Sequence, residues 1–279
     1  MRRMLKLELY KIFRRPRTYI SFGIITAFAM VIQLALLADG KNFISFALMG
    51  VTEQFEIQGK ILNGYLVTYI ILQSLLVQIP LLVALVAGDV LAGEAGMGTL
   101  RLLLTKPVSR TKVVLVKFTA SVCYALLLIT WLAVIALVMS VIVFGTGDMV
   151  NLKSDTVVII LKDDIMWRYM AAFGFAALAM TTVASLSLLL SAFADNAIGP
   201  IMGTMGIIVV LMIFSTLDLP VFSVIRQYLF TTHMIGWKGF FDDPVPYRAI
   251  ANSAVVLAVY TILFVGATVV WFNKKDIQS

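Results

Sequence analysis

Glu94 heads the stretch whose residue types and spacing are best suited to act on another molecule. From Gly93 to Arg110 the chain reads GEAGMGTLRLLLTKPVSR, with an acid, three glycines (Gly93, Gly96, Gly98), Thr99, leucines at Leu100, Leu102, Leu103 and Leu104, and a stop at Pro107. Five basic residues, Arg101, Lys106, Arg110, Lys112 and Lys117, fall between Gly88 and Lys117. The chemistry on offer is recognition: an apolar leucine patch, basic side chains and a glycine-bracketed turn suit contact with another molecule. A connection that only reverses the chain is about four to six residues long. This one is far longer.

Bond-making chemistry has few candidates. His233 is the single histidine, so neither an H-E-x-x-H zinc site nor a histidine-based triad can be assembled within a span. Cys123 is the single cysteine and lies in an apolar run, as a small buried side chain would, which excludes a disulfide or a cysteine-based metal site within one chain. Gly40-Lys41 and Gly59-Lys60 are followed by Asn42 and Ile61 and form no phosphate-binding loop. No acid or base falls in the middle of an apolar stretch, which argues against a proton-coupled carrier; Asp89 and Glu94 come nearest, at one end of the second stretch. The chain is expected to be non-catalytic.

The elements that position Glu94 and its neighbours follow from composition. Hydrophobic residues make up 61% of the chain and charged residues 13%, where a soluble domain carries about 25% charged. Mean hydropathy is +0.99. The expected fold is an all-α membrane protein with spans at 18–38, 61–88, 113–147, 169–194, 196–217 and 249–273, the third charge-free from Phe118. Six spans put both termini on one side. The net charge of +7 then reports topology and not nucleic-acid binding: fourteen of the 22 basic residues fall in the N-terminal segment, the 88–117 segment and the C-terminal tail. Ten acids accompany the other eight in the opposite loops, so both termini and the 88–117 segment are expected to be cytoplasmic.

Residues 1–17 read as an amphipathic helix lying on that membrane face. Met4, Leu5, Leu9, Ile12 and Phe13 would enter lipid, and Arg2, Arg3, Lys6, Arg14 and Arg15 would meet anionic headgroups, with Pro16 as the interruption. The apolar run that follows is too long for a signal peptide, so no cleavage is expected. Of the outer loops, 39–60 has helical spacing of Phe43, Phe46, Ala47, Val51 and Phe55. Thr156–Ile160 is a short strand or an extended cover. Residues 218–248, rich in aromatics and prolines, suit short interfacial or re-entrant helices, serving as an aromatic belt or a gate. Within the spans, Pro80 should bend the second, Gly199, Gly203 and Gly206 offer a smooth face to another helix, and Gln33, Gln73 and Gln78 suit interhelical hydrogen bonds or substrate contact.

The pattern Gly93-Glu94, Gly98-Thr99-Leu100, Leu102-Leu103-Leu104, Pro107 and Ser109-Arg110 resembles the signature of ABC-2 type transporter permease subunits. It is most like the branch that includes the membrane component of the copper-processing system for nitrous oxide reductase and the gliding-motility permeases. The resemblance covers the whole architecture, although outside the signature it is one of pattern only. It implies a single transmembrane domain over 1–279, in the cytoplasmic membrane of a prokaryote. Residues 93–110 would form a coupling helix docking on a separate ATPase subunit, with Glu94, Gly98, Thr99, Leu100, Arg101, Leu103, Leu104, Pro107 and Arg110 as its site. The same resemblance implies no cofactor in this chain, since ATP and Mg are held by the partner ATPase. It further implies a second permease chain, as homodimer or heterodimer, and export. From the residues alone, a stand-alone channel or carrier and a membrane anchor or assembly subunit stay open.

Overall fold

The structure, a computed structural model, describes residues 1–47, 61–99, 108–152, 157–216 and 225–274. Helix α1 (Arg2–Phe13) meets α2 (Pro16–Ala47) at a corner where Pro16 takes the first helical position, at which its missing N–H costs nothing. Thr18 Oγ1 closes the corner by donating to the Ile12 carbonyl at 2.5 Å. The backbone breaks at Asp39 (φ −133°), so the span-length part of α2 is Pro16–Gly40 and a second helix starts beyond it, where an amphipathic helix is expected. The rest of that expected helix, from 48 onward, lies outside the described residues.

The second apolar stretch, 61–88, is bent, as Pro80 leads one to expect. It forms α3 (Gly64–Ser74) and α4 (Gln78–Ala87), bent by 57° across Leu75–Val77, and leads through Gly88 into α5 (Asp89–Gly96). Pro80 is the cause: it has no N–H for the Leu76 carbonyl, and its ring crowds that carbonyl. Gly88 brings no side chain to cap α5, so a later helix, α8 (Lys162–Phe193), supplies one. Ser191 Oγ accepts from Leu91 N (3.2 Å) and Ala92 N (2.8 Å) and donates to the Gly88 carbonyl (2.6 Å).

Helix α6 (Arg110–Ala133) continues through a π-helical turn (Val134–Val138) into α7 (Met139–Phe144), ending at Gly145 with φ +78°. The π turn opens the helical ladder, and side chains from other helices take its carbonyls. Gln33 Nε2 donates to Ile135 O (3.1 Å) and Ser140 Oγ (2.9 Å), and Thr68 Oγ1 donates to Ala136 O (2.9 Å). Gln33 is thus an interhelical hydrogen-bonder.

Strands β1 (Met149–Leu152) and β2 (Val157–Ile160) pair antiparallel with Met149 opposite Ile160. Helix α8 (Lys162–Phe193) starts seven residues before the expected boundary at 169. Its charged first turns are held by the third outer segment: Arg168 Nη1 donates to the carbonyls of Phe240 (3.1 Å) and Asp242 (2.8 Å), and Nη2 pairs with Asp164 (2.6 Å). That segment folds as α10 (Phe230–Met234) and a 3-10 turn (Ile235–Phe241), between α9 (Ile198–Thr216) and α11 (Tyr247–Lys274). Phe230, Trp237 and Phe241 turn inward, whereas Tyr228 and Tyr247 at its ends stay exposed. Phe241 is fully buried 4.8 Å from the Tyr169 ring, and the Tyr169 hydroxyl donates to Tyr65 O at 2.5 Å.

Among the described residues five helices are long and apolar enough to cross a membrane, and the bent α3–α4 pair makes a sixth if counted as one span. Helix α8 is the hub, because 61% of its most apolar stretch is buried, against 17% to 33% for the other four. Gly206 and Gly203 of α9 do little inside the chain: a Cβ at Gly206 would meet nothing within 4 Å, and one at Gly203 only Leu190 at 3.4 Å. The starts of α1 and α6 and the end of α11 share one end of the bundle. The hairpin and the α10 segment cap the other.

Candidate functional site

Four charged side chains from three elements form a closed ring at the end of the bundle that holds the termini. Helix α1 presents Glu8 and Lys11 one turn apart, α5 presents Glu94, and α6 presents Lys117 two turns from its start. Lys11 Nζ lies 2.8 Å from Glu8 Oε1 and 2.7 Å from Glu94 Oε1. Lys117 Nζ lies 3.0 Å from Glu8 Oε2 and 2.8 Å from Glu94 Oε2, and donates to the Val90 carbonyl at 2.9 Å. Lys117 is 1% exposed, Glu94 5% and Glu8 7%, so three members have left solvent. Such burial is tolerable because the ring is neutral and the buried ammonium donates to Glu8 Oε2 and the Val90 carbonyl while lying in ion-pair contact with Glu94. Asp89 forms a second clamp, pairing with Arg15 and, at 3.0 Å, with Arg17.

Burial works to raise the Glu94 pKa, but Lys117 and Lys11 outweigh it and hold the carboxyl below its ordinary 4.5. Burial likewise works to lower Lys11, and its bonds to Glu8 and Glu94 keep it above 10.5. The signs follow from linkage. The Glu94 contribution is present above pH 4.5 and is lost as pH falls through its depressed pKa; that of Lys11 is present below pH 10.5 and is lost as pH rises through its raised one. The protection of the α1 amides, their exchange relative to the intrinsic rate at each pH, should therefore be high and flat between those limits. It should fall on the acid side, and far less so in Glu94→Gln, where that carboxyl no longer titrates. An acid transition of equal size in Glu94→Gln would remove Glu94 as its cause.

The sequence-expected residues divide. Glu94 pairs with cations and is the keystone of the ring. Gly98 takes φ +71°, a conformation that favours glycine, and a Cβ at this position would meet nothing within 4 Å among the described residues. Thr99 Oγ1 donates to the Glu94 carbonyl at 3.3 Å. Arg110 opens α6 and donates from Nη1 to the carbonyls of Phe272 and Asn273, both at 3.2 Å, which ties it to the C-terminal end of α11. Leu100, Arg101, Leu103, Leu104 and Pro107 lie outside the described residues.

In α1 the expectation is corrected. The side assigned to lipid packs on the bundle, with Ile12 5% exposed and Met4, Leu5 and Leu9 partly buried against the core, because Glu8 and Lys11 draw that face onto α5 and α6. Arg2, Arg3, Lys6 and Arg14 are exposed, whereas Arg15 is half-buried on Asp89. Sequence reasoning missed Glu8, Lys11, Arg17 and Lys117 as site residues. The available signal was Glu8, a single acid within a basic helix. Among the described residues no His, Cys, Asp or Glu cluster could hold a metal ion.

Residues 26–278 match the model of the family described as protein of unknown function (DUF2705). The chain belongs to this family. The DUF2705 match includes Asp89, Glu94 and Lys117, while α1 with Glu8 and Lys11 precedes it. No curated protein matches the chain. What the DUF2705 platform offers chemically is mechanical: its described carboxylates and ammonium groups are committed to one another, binding three chain segments into one unit.

Proposed function

We propose that the chain is the membrane-spanning, non-catalytic subunit of an ABC-2 type exporter. In this reading it crosses the cytoplasmic membrane of a prokaryote six times, with the bent pair as its second span and both termini in the cytoplasm. ATP would be bound and hydrolysed by a separate ATPase subunit, and a second permease chain would complete the transporter.

The observation that carries the reading is the ring around Glu94. The signature opens with Gly93-Glu94, and Glu94 is ion-paired both to α1 and to α6. A push on residues 100–107 from an ATPase would enter α5 through Thr99 and Gly98 and move α1, α5 and the base of α6 together. The break at Leu75–Val77 lets α4 tilt while α3 stays packed on α7 and the π turn. Coupling by an ATPase requires such a unit to make different contacts in the two nucleotide states.

The test is Arg101→Glu combined with Leu103→Asp, both within the expected coupling segment and neither a member of the ring. Copurification of an ATPase partner should fall roughly a hundredfold, as expected when interface anchors worth about 2 to 3 kcal/mol are lost. Thermal stability of the chain itself should be unchanged. Retention of the ATPase with undiminished transport, or transport by the chain alone in vesicles without nucleotide, would overturn the reading.

A further inference from the structure

The distal half of the bundle contains a narrow apolar cleft: about 580 Å³ lies within it when the open solvent at its mouth is counted, and about 50 Å³ is space that the centre of a water-sized molecule can occupy. Two features of the fold create it. The 57° bend swings α3 away from the line of α4, so that Leu72, Leu76 and Ile79 wall the cavity on one side without filling it. Opposite them, Ala172, Ala176 and Ala179 recur on one face of α8 and present only methyl groups.

One polar group stands in this wall. Thr231 of α10 is 1% exposed, and its hydroxyl has no hydrogen-bond partner among the described residues. The carbonyl one helical turn back, that of Gln227, is bonded by His233 Nε2 at 2.8 Å. An unpaired buried hydroxyl is costly, so a bound acceptor is favoured. Water is a poor candidate, because a buried water needs two to four polar partners and the lining offers little beyond this one hydroxyl. The polarity is also one-ended: Thr231 belongs to the cap, whereas Leu76 lies in the break halfway along the second stretch and Ile79 just beyond it.

We infer that this cavity binds an acyl chain, its ester or acid oxygen accepting from Thr231 Oγ–H and its methylenes running down the alanine face of α8 toward the Leu75–Val77 break. The chain could belong to a phospholipid or to a free fatty acid; both bring the same oxygen and the same hydrocarbon. The inference does not depend on an ATPase partner.

The test uses the full chain in phosphatidylglycerol nanodiscs carrying phospholipids with a diazirine near the ester or near the chain end, with adducts mapped after irradiation. Labels near the ester should fall on 230–237 and labels near the chain end on 72–79 and 176–180. Ala176→Phe should reduce both sets roughly tenfold, by filling the groove, while leaving adducts on the outward residues Ile262 and Leu263 unchanged. Thr231→Val, which keeps the shape, should lower the adducts near the ester about fivefold and spread the chain-end adducts. Competition by unlabelled palmitate, against competition by unlabelled phospholipid alone, distinguishes the two sources. Adducts confined to outward residues, or unaltered in both variants, would overturn the inference.

Discussion

Lys117→Met should destabilise the chain by about 3 to 5 kcal/mol, the cost of removing one partner from a buried ion pair. The ammonium group is 1% exposed and bonds Glu8, Glu94 and the Val90 carbonyl, so its loss leaves two carboxylates facing each other with only the half-exposed Lys11 between them. The damage should be local first. Helix α1 loses its anchor on α6, and protease should cut near the Arg14–Arg17 corner before the spans unfold. The triple variant Glu8→Gln, Glu94→Gln, Lys117→Met should recover most of the loss, because no buried charge is then left unpaired. Thermal unfolding in detergent, read by intrinsic fluorescence, would check both. A change below about 1 kcal/mol in the single variant, the range of exposed ion pairs, would mean that the ring is open to water.

Gly64→Ala should cost about 1 to 3 kcal/mol, the range for overpacking, because the obstacle is backbone. A Cβ at Gly64 would lie 2.5 Å from Val141 Cα and 2.6 Å from both Ser140 O and Val141 N, where no side chain can rotate away. Helices α3 and α7 would have to separate. That strains the Gly64 N to Gly145 O bond (2.8 Å) and the Thr68 bond into the π turn, and it weakens the Asn63 bond to the Asp148 carbonyl (2.6 Å) that seats the hairpin. Gly174→Ala is the control: nothing lies within 4 Å of its Cβ, so this change within α8 should be neutral or stabilising by up to about 1 kcal/mol. Equal melting of the two variants would show that α3 and α7 cross less closely than these distances state.

Much of this molecule was legible residue by residue. Pro80 announces a bend, and the break falls where its missing donor and its ring act, at Leu75–Val77. The β-branched run before Leu161 is a strand, and the aromatic third loop is short helical turns. Gly98 carries the positive φ that its signature position allows. Less legible was α1. Its spacing marks an amphipathic helix, but lipid and protein are equally apolar partners, and nothing in the period of Met4, Leu5, Leu9 and Ile12 distinguishes them. Arg110 shows the same limit. As a base in a loop it reads as a rim charge, and its bonds to the Phe272 and Asn273 carbonyls join residues more than 160 positions apart.

Composition and periodicity by themselves determined the class of this protein, an all-α chain with several membrane-length helices, and the approximate limits of each. They could do so because hydrocarbon requires every backbone group to be satisfied within its own segment, which makes each span a local property of about 20 residues. Which charges meet was decided only in three dimensions. Glu8, Glu94 and Lys117 look in sequence like three solvated side chains, and they become a ring only when α1 folds back over the α5–α6 base. Their energy depends on the water that packing removes, and no local window of sequence records that.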